Sequence, residues 1–151
     1  MNILIASAGR RVSLVKSFID QTKKLNLNIK VFCSDLNPEL SPACKYSGNY
    51  FKVKKITEKG AVEEFIELCL KHNIVLVIPT IDTELPILSY NIEKFNKNKI
   101  KVLISDFEKI KVCRDKRKTH DLFDSIKLPR AKEYLNETIP NFPVFIKPKD
   151  G

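Results

Sequence analysis

Ile74-Val75-Leu76-Val77-Ile78, running into Pro79-Thr80-Ile81-Asp82-Thr83-Glu84-Leu85, is the stretch on which the reading of this chain turns. Five consecutive apolar residues without alternation describe a strand buried on both faces, the situation of a parallel sheet covered by helices. Amphipathic segments stand on either side. Residues 60–73 place Val62, Phe65, Ile66, Cys69 and Leu70 on one helical face, and residues 84–95 do the same with Leu85, Leu88, Ile92 and Phe95.

The same alternation extends outward. Residues 3–6 form a second continuous apolar run, and Ser7-Ala8-Gly9-Arg10-Arg11 reads as a turn. Val12, Leu14, Val15, Phe18 and Ile19 then recur at helical spacing, with basic residues near Lys23-Lys24 closing that helix. Strands are expected at 29–34, at 50–53 and at 100–104, with a turn at Asp35-Leu36-Asn37-Pro38. Strands alternating with helices imply an α/β fold: an open, parallel, Rossmann-like sheet flanked by helices. After Ser105 the rhythm changes. Residues 107–114 and 116–126 read as two helices with no strand between them, and 131–135 and 143–148 read as strands joined by a polar loop. The expected division is an α/β domain at 1–106, a helical linker at 107–130 and the opening of a further domain at 131–151. A lone strand that stops at Lys149-Asp150-Gly151, where a turn should open, is expected to be the front of a truncated domain.

Composition narrows the function classes. The chain has 151 residues, 43% hydrophobic and 30% charged, as expected of a globular protein, and no apolar run approaches a membrane span. A strand pattern begins at once, without signal-peptide features, so a cytoplasmic protein with no membrane partner is expected. Cys33, Cys44, Cys69 and Cys113 show no metal-ligand spacing. Only His72 and His120 could join them, and Cys33 and Cys69 read as small core residues, so no metal site is expected. The net charge is +9. Residues 1–108 contribute 16 basic and 12 acidic residues, whereas 109–151 contribute 11 and 6, so the tail is the more basic per residue. That bias suits either a polyanionic partner or a solvated lysine-rich surface.

Ligands of open parallel sheets bind beyond the carboxyl ends of the strands. Three groups fall there. Gly9 permits close backbone approach before a helix N-terminus, with Arg10 and Arg11 adding charge; a plain turn with surface arginines is the other reading. Asp35 stands where a ribose-binding acid could. Thr80, Asp82 and Glu84 follow the strongest strand, and helix capping by Asp82 or Thr83 accounts for one polar residue of that loop, not for all. Ser105-Asp106 reads as a helix cap. Outside the sheet, Lys116 opens a helix, and Lys147 ends an apolar strand, where it either meets phosphate oxygens or reaches past the strand end to solvent.

In this order the segments resemble the ATP-grasp superfamily, especially ligases similar to the carbamoyl-phosphate synthase large subunit. The opening Asn2-Ile3-Leu4-Ile5-Ala6-Ser7-Ala8-Gly9-Arg10-Arg11 is similar to the family start, and Pro79–Leu85 to its loop after the fourth strand. Cys113-Arg114-Asp115-Lys116 and Phe142-Pro143-Val144-Phe145-Ile146-Lys147-Pro148 are similar to its linker and its strand ending in Lys-Pro. The resemblance covers the whole chain, and the order and spacing of the motifs carry it. It implies a pre-ATP-grasp domain followed by the first strands of a truncated ATP-grasp domain. Lys116 and Lys147 would contact ATP phosphates. Gly9, Arg10, Arg11, Asp35, Thr80, Asp82 and Glu84 would face the substrate, a small-molecule carboxylate. The reaction implied is carboxylate activation as an acyl phosphate and transfer to an amine, ammonia or a thiol. ATP and magnesium are the implied cofactors of a longer parent protein, with the magnesium ligands beyond this chain, which alone is expected to be inactive. A homodimer is left open. The competing readings are a nicotinamide-type Rossmann protein and a non-catalytic nucleotide- or nucleic-acid-binding module with a basic tail. The single glycine after the first strand and the two-helix tail argue against the former, and the scarcity of stacking aromatics in the tail against the latter.

Overall fold

A computed structural model describes residues 1–134 and 142–150. The chain divides into two compact units, Met1–Ser105 and Asp106–Gly151.

The first unit is a five-stranded sheet. Its strands are β1 (Asn2–Ala6), β2 (Val31–Asp35), β3 (Tyr50–Lys52), β4 (Ile74–Pro79) and β5 (Lys101–Val102), in the order β3-β2-β1-β4-β5. Every pairing is parallel, with Ile5 opposite Cys33 on one side and Ile78 on the other. Parallel strands need crossovers, and helices supply them: α1 (Val12–Lys24), α2 (Pro42–Ser47), α3 (Ala61–Lys71), α4 (Leu85–Tyr90) and α5 (Ile92–Lys97). The unbroken apolar runs follow from burial on both faces. Leu4, Ala6 and Val77 join one cluster with Phe65, Ile66, Cys69, Leu88 and Phe95, contributed by α3, α4 and α5. Ile5, Val31, Cys33 and Ile78 join another with Val15 of α1 and with Ala43 and Cys44 of α2. Neighbouring residues of one strand thus serve opposite cores.

Several elements differ from the sequence reading. The helix expected over 84–95 is in three pieces: a 3-10 turn at Asp82–Glu84, then α4, then α5. The Ser89 hydroxyl donates to Leu85 O at 2.8 Å and the Asn91 side chain to Ile87 O at 2.9 Å. Such side-chain bonds compete with the helical ladder, and the break falls at Asn91. Helix α2 was not anticipated, although its local signals are complete. Ser41 caps it by accepting from Cys44 N, Pro42 opens it, and Gly48 at φ 68° closes it. The fifth strand is confined to Lys101–Val102, with Ile104 still packed against the first cluster.

In the second unit, α6 (Phe107–Arg114) and α7 (Lys116–Ser125) appear where helices were expected. Asp106 caps α6 by accepting from Lys109 N, and Asp115 caps α7 by accepting from Arg117 N and Lys118 N. Residues 131–134 and 143–148, expected as strands, take no regular structure; the only ladder-type contact there among the described residues is the isolated bridge Asp115–Asp150. A strand requires a hydrogen-bonding partner along its length, and the described residues of this unit offer none. Phe145 and Ile146 are each 93% exposed. The rest of the expected 131–135 strand and the polar loop to 141 lie outside the described residues.

Candidate functional site

Strand order reverses at β1, because β2 lies to one side of it and β4 to the other. Loops leaving the carboxyl ends of β1 and β4 diverge there, which is where an open α/β sheet holds its ligand. Four residues singled out in the sequence meet at this end: Gly9, Asp35, Thr80 and Glu84.

Each is held by a definable contact. The Asp35 carboxylate accepts from Gly9 N at 3.0 Å through Oδ2 and from Asn37 N at 3.0 Å through Oδ1. This pins the β1–α1 turn to the end of β2. Gly9 has φ +51°, and its carbonyl accepts from the Ser41 hydroxyl at 2.8 Å and from Ala43 N at 3.1 Å, tying the turn to α2. The Thr80 hydroxyl lies 2.8 Å from Ala6 O and 2.7 Å from Ser7 O, and its single proton serves one of them at a time. Thr80 therefore clamps the end of β1.

Ser7 is the residue that sequence reasoning passed over. It takes φ +50°, uncommon for a residue with a side chain, and its hydroxyl donates to Glu84 Oε1 at 2.5 Å across 77 positions of sequence. The left-handed turn at the strand end gives Ser7 that direction, and nothing local in the sequence announces it. Glu84 occupies the N-cap position of α4 without capping it, and the N-cap position of the preceding 3-10 turn falls to Ile81. Burial pushes the Glu84 carboxyl above its ordinary range; the Ser7 hydroxyl opposes this and the charge of Asp35 reinforces it. Glu84 Oε2 is enclosed and has no hydrogen-bond partner among the described residues, and the same holds for the hydroxyl of Ser34 on β2. Beside Glu84 lies a cavity of about 10 Å³, lined also by Val53, Lys54, Ile56, Phe65 and Leu88. Arg10, Arg11 and Asp82 are exposed on the same two loops.

Lys116 and Lys147 belong to the second unit. Lys116 is the first residue of α7 and its N–H donates to Lys149 O at 3.0 Å, while Lys147 is exposed two positions before Lys149. Asp115 approaches the Lys149 ammonium at 3.2 Å. Burial works against its charged form, but the N–H groups of Lys118 and Arg117 and the Lys149 ammonium hold its carboxyl below the usual range. Cys33, Cys44 and Cys69 are buried free thiols, with burial pushing Cys33 and Cys69 to about 12. Among the described residues, no three His, Cys, Asp or Glu side chains converge to hold a metal ion, and no helix is long and apolar enough to cross a membrane.

The family described as PylC-like, N-terminal domain, matches residues 3–103. Among solved structures, an L-amino acid ligase from Bacillus licheniformis superposes with a TM-score of 0.55 at 16% identity, over 85% of this chain and 30% of that one. The biotin carboxylase domain of a single-chain bacterial carboxylase gives 0.59 at 11% identity, over 91% and 31%. The biotin carboxylase domain of Hydrogenobacter thermophilus 2-oxoglutarate carboxylase, a dimer in complex with MgADP and bicarbonate, gives 0.57 at 10%, over 84% and 28%. At these identities the likeness is one of fold, and the chain spans about a third of the length of each. Comparison with curated proteins gives no significant match.

Proposed function

Because this chain belongs to the family of PylC-like N-terminal domains, homologous to the front domains of ATP-grasp ligases, we propose that it provides the substrate-side domain of an ATP-dependent carboxylate–amine ligase. The observation that carries this reading is the cluster of Ser7, Asp35, Thr80 and Glu84 at the switch point of a β3-β2-β1-β4-β5 sheet. In the reaction, a substrate carboxylate oxygen attacks the γ-phosphorus of ATP, giving an acyl phosphate and ADP. The lone pair of an amine nitrogen then attacks the acyl carbon. Phosphate leaves with the bonding electrons, and the nitrogen gives up a proton to form the amide. ATP-grasp ligases of the carbamoyl-phosphate synthase kind are the finer assignment, with a carboxylate, an amine and ATP as the molecules bound and the cytoplasm as the site of action.

The chain's own residues divide that work. Glu84, steadied by Ser7, presents an acceptor to the substrate, Asp35 holds the Gly9 turn beside it, and Arg10 and Arg11 offer cations on the exposed β1–α1 turn. Lys116 and Lys147 supply point charges for phosphate oxygens. The first turn of α7 carries Lys116, Arg117 and Lys118, and the Asp115 carboxylate at its N-cap is the anion that the helix dipole favours there. The residues that would hold magnesium are not found among those described. Phosphoryl transfer rests on positioning and charge, so the lysines matter for turnover and the α/β unit for substrate choice. This division makes 1–106 the substrate domain, 107–130 a linker and 131–151 the start of the nucleotide domain, and it makes the 151-residue chain inactive alone.

The competing readings find less support. Both Asp35 oxygens already accept backbone N–H groups, so the acid expected to hold a nicotinamide ribose is engaged in shaping the turn. In the basic second unit, Arg130 forms a fork with Asp124 at 2.9 and 2.7 Å, Arg117 meets Glu133 at 3.1 Å, and Lys109 and Lys111 pair with Asp106 and Glu108, which lowers the charge on offer to a nucleic acid.

The test joins this chain to an ATP-grasp domain with its glycine-rich loop and measures ADP release with magnesium, a carboxylate and an amine. ADP release is expected to depend on both substrates and to fall by roughly a hundredfold in Lys116→Ala and in Lys147→Ala. ATP indifference in the joined protein, or full turnover in both variants, refutes the ligase reading.

A further inference from the structure

At the amino ends of the strands, opposite the candidate site, the first unit has a surface whose charge is of one sign. Three connections meet there: residues 23–30 leading from α1 to β2, 71–73 from α3 to β4, and 97–101 from α5 to β5. Asn2 ties two of them to the start of β1. Its side-chain amide donates to His72 O at 2.7 Å, and its Oδ1 accepts from Lys30 N at 3.0 Å. Lys101 lies beside Leu76 of the neighbouring strand, which brings the third connection alongside. All three turn through the same left-handed step, at Asn26 (φ 51°), Asn73 (φ 51°) and Lys99 (φ 58°). Together they carry seven exposed lysines, of the sixteen basic residues of Met1–Ser105, and none of its ten acids. Helix physics accounts for four. Lys23, Lys24, Lys71 and Lys97 lie in last turns, where the dipole favours a cation. It does not account for Lys30 and Lys101, which lie outside the helices, or for Lys99, which stands where the other two turns have asparagine. The acids of this unit find their ion pairs elsewhere, Glu64 with Lys54 and Glu63 with Lys94, and none of the seven lysines is paired among the described residues. Among these lysines Leu25 and Leu27 stand 61% and 46% exposed.

We propose that this end of the sheet docks on an anionic membrane surface, so that the protein lies peripherally on lipid with its candidate site facing away from it. The inference is independent of the ligase reading. Breadth excludes a single small anion: β2, β1, β4 and β5 are successive neighbours, and at about 4.8 Å per strand the lysines spread over about 14 Å. That span is close to the screening length of about 10 Å at 0.1 M salt, so the charges act together on an extended anion. Side-chain chemistry chooses among extended anions. Lysine is a point charge, which suits mobile headgroups that rearrange to meet it. Nucleic acids are read by arginine forks and held by stacking rings. These connections contain no arginine, and their one aromatic ring, His72, is engaged with Phe51 at 4.5 Å between centroids. The two leucines supply what charge alone lacks, an apolar contact with the acyl boundary, and charge with insertion is the pair of signals that peripheral binding needs. No helix among the described residues spans a membrane, and lying on one requires none. The surface is assembled from three stretches far apart in sequence, which is why the apolar runs of the chain gave no expectation of a membrane partner.

The experiment sediments the full chain with vesicles of phosphatidylcholine alone and with vesicles containing about 30% phosphatidylserine, at about 0.1 M and about 1 M salt. The chain is expected to pellet with the anionic vesicles at the lower salt and to stay in solution with the neutral ones. Its partition coefficient should fall about a hundredfold in the triple variant Lys30→Gln, Lys99→Asn, Lys101→Gln, at about fivefold per lysine. It should fall roughly tenfold in Leu25→Ser with Leu27→Ser. Lys127→Asn with Lys132→Gln removes charge from the basic second unit instead and should change it by less than about twofold. All the substituted side chains are exposed, and urea unfolding of each variant checks that the fold is intact. No sedimentation with anionic vesicles, equal sedimentation with neutral ones, or undiminished binding by the lysine or the leucine variant overturns the proposal. An equal loss in the second-unit variant does so too. Tighter binding to a DNA duplex at the same salt, lost in the triple variant, overturns it in favour of a nucleic acid. No ATP is present in any of these measurements, so their failure leaves the ligase reading to its own turnover test.

Discussion

Glu84 keeps its carboxyl largely out of water, bonded through one oxygen to Ser7 and facing the charge of Asp35, and burial raises its proton affinity. The thermodynamic sign follows. A carboxyl whose folded-state affinity is raised binds more protons folded than unfolded between its ordinary pKa and its shifted one. Its neutral form costs the fold little below the ordinary value of 4.5, and stability is lost as pH rises through the folded value. Glu84→Gln removes the ionisation. Its melting temperature relative to the parent should therefore improve as pH rises above the ordinary value of 4.5, as followed by thermal circular dichroism. A constant difference across that range would mean the carboxyl does not ionise against burial. At this scale the sequence was half legible. Asp35, Thr80 and Glu84 were identifiable because strand ends in a parallel sheet are where polar groups collect. Ser7 was not, because its significance lies in Glu84, 77 positions away, and one-dimensional spacing does not encode that.

Elements one turn or two long carry more of the site than their length suggests. Helix α2 has six residues, and its N-cap Ser41 does two things: its hydroxyl oxygen accepts from Cys44 N, and its proton goes to Gly9 O. Ser41→Ala should cost about 1 kcal/mol of global stability by urea unfolding, the usual loss for a cap, and should also loosen the β1–α1 turn, seen as faster amide exchange at Ala43 and Arg11. Loss of stability without that local change would make Ser41 a cap and nothing more. The signals for α2 were all in the sequence, a serine, a proline and a closing glycine, but a segment this short shows no helical periodicity to prompt the assignment. The opposite error occurred at 84–95. There the apolar spacing suits one long helix, and the interruption comes from hydroxyl and amide side chains that reach back to the carbonyls of the preceding turn.

For the molecule as a whole, the α/β class was readable from two unbroken apolar runs, because only a sheet covered on both sides tolerates them. Strand order was not readable, since Leu4 and Ile5 look alike in sequence while serving opposite cores. The tail was misread at 143–148, where a strand-like pattern is present and a partner strand among the described residues is not. Cohesion of the first unit depends on the α3–α5 core. Phe95 is fully buried and meets Phe65 edge-on at 6.2 Å between ring centroids. Phe95→Ala should cost about 3–5 kcal/mol, a large part of the stability of a domain this size, and the loss would appear as a shift in urea midpoint with little change in slope. A loss below about 1 kcal/mol would show that the cavity closes by repacking.

The outermost strands have a consequence for behaviour at high concentration. β3 is three residues long and β5 is two, and each includes a lysine, Lys52 and Lys101. An exposed sheet margin is a template for runaway polymerisation only when it offers a long, uncharged run of backbone. Here both margins are too brief and too cationic for that, so the sheet ends at five strands and is protected against fibril growth by economy of length.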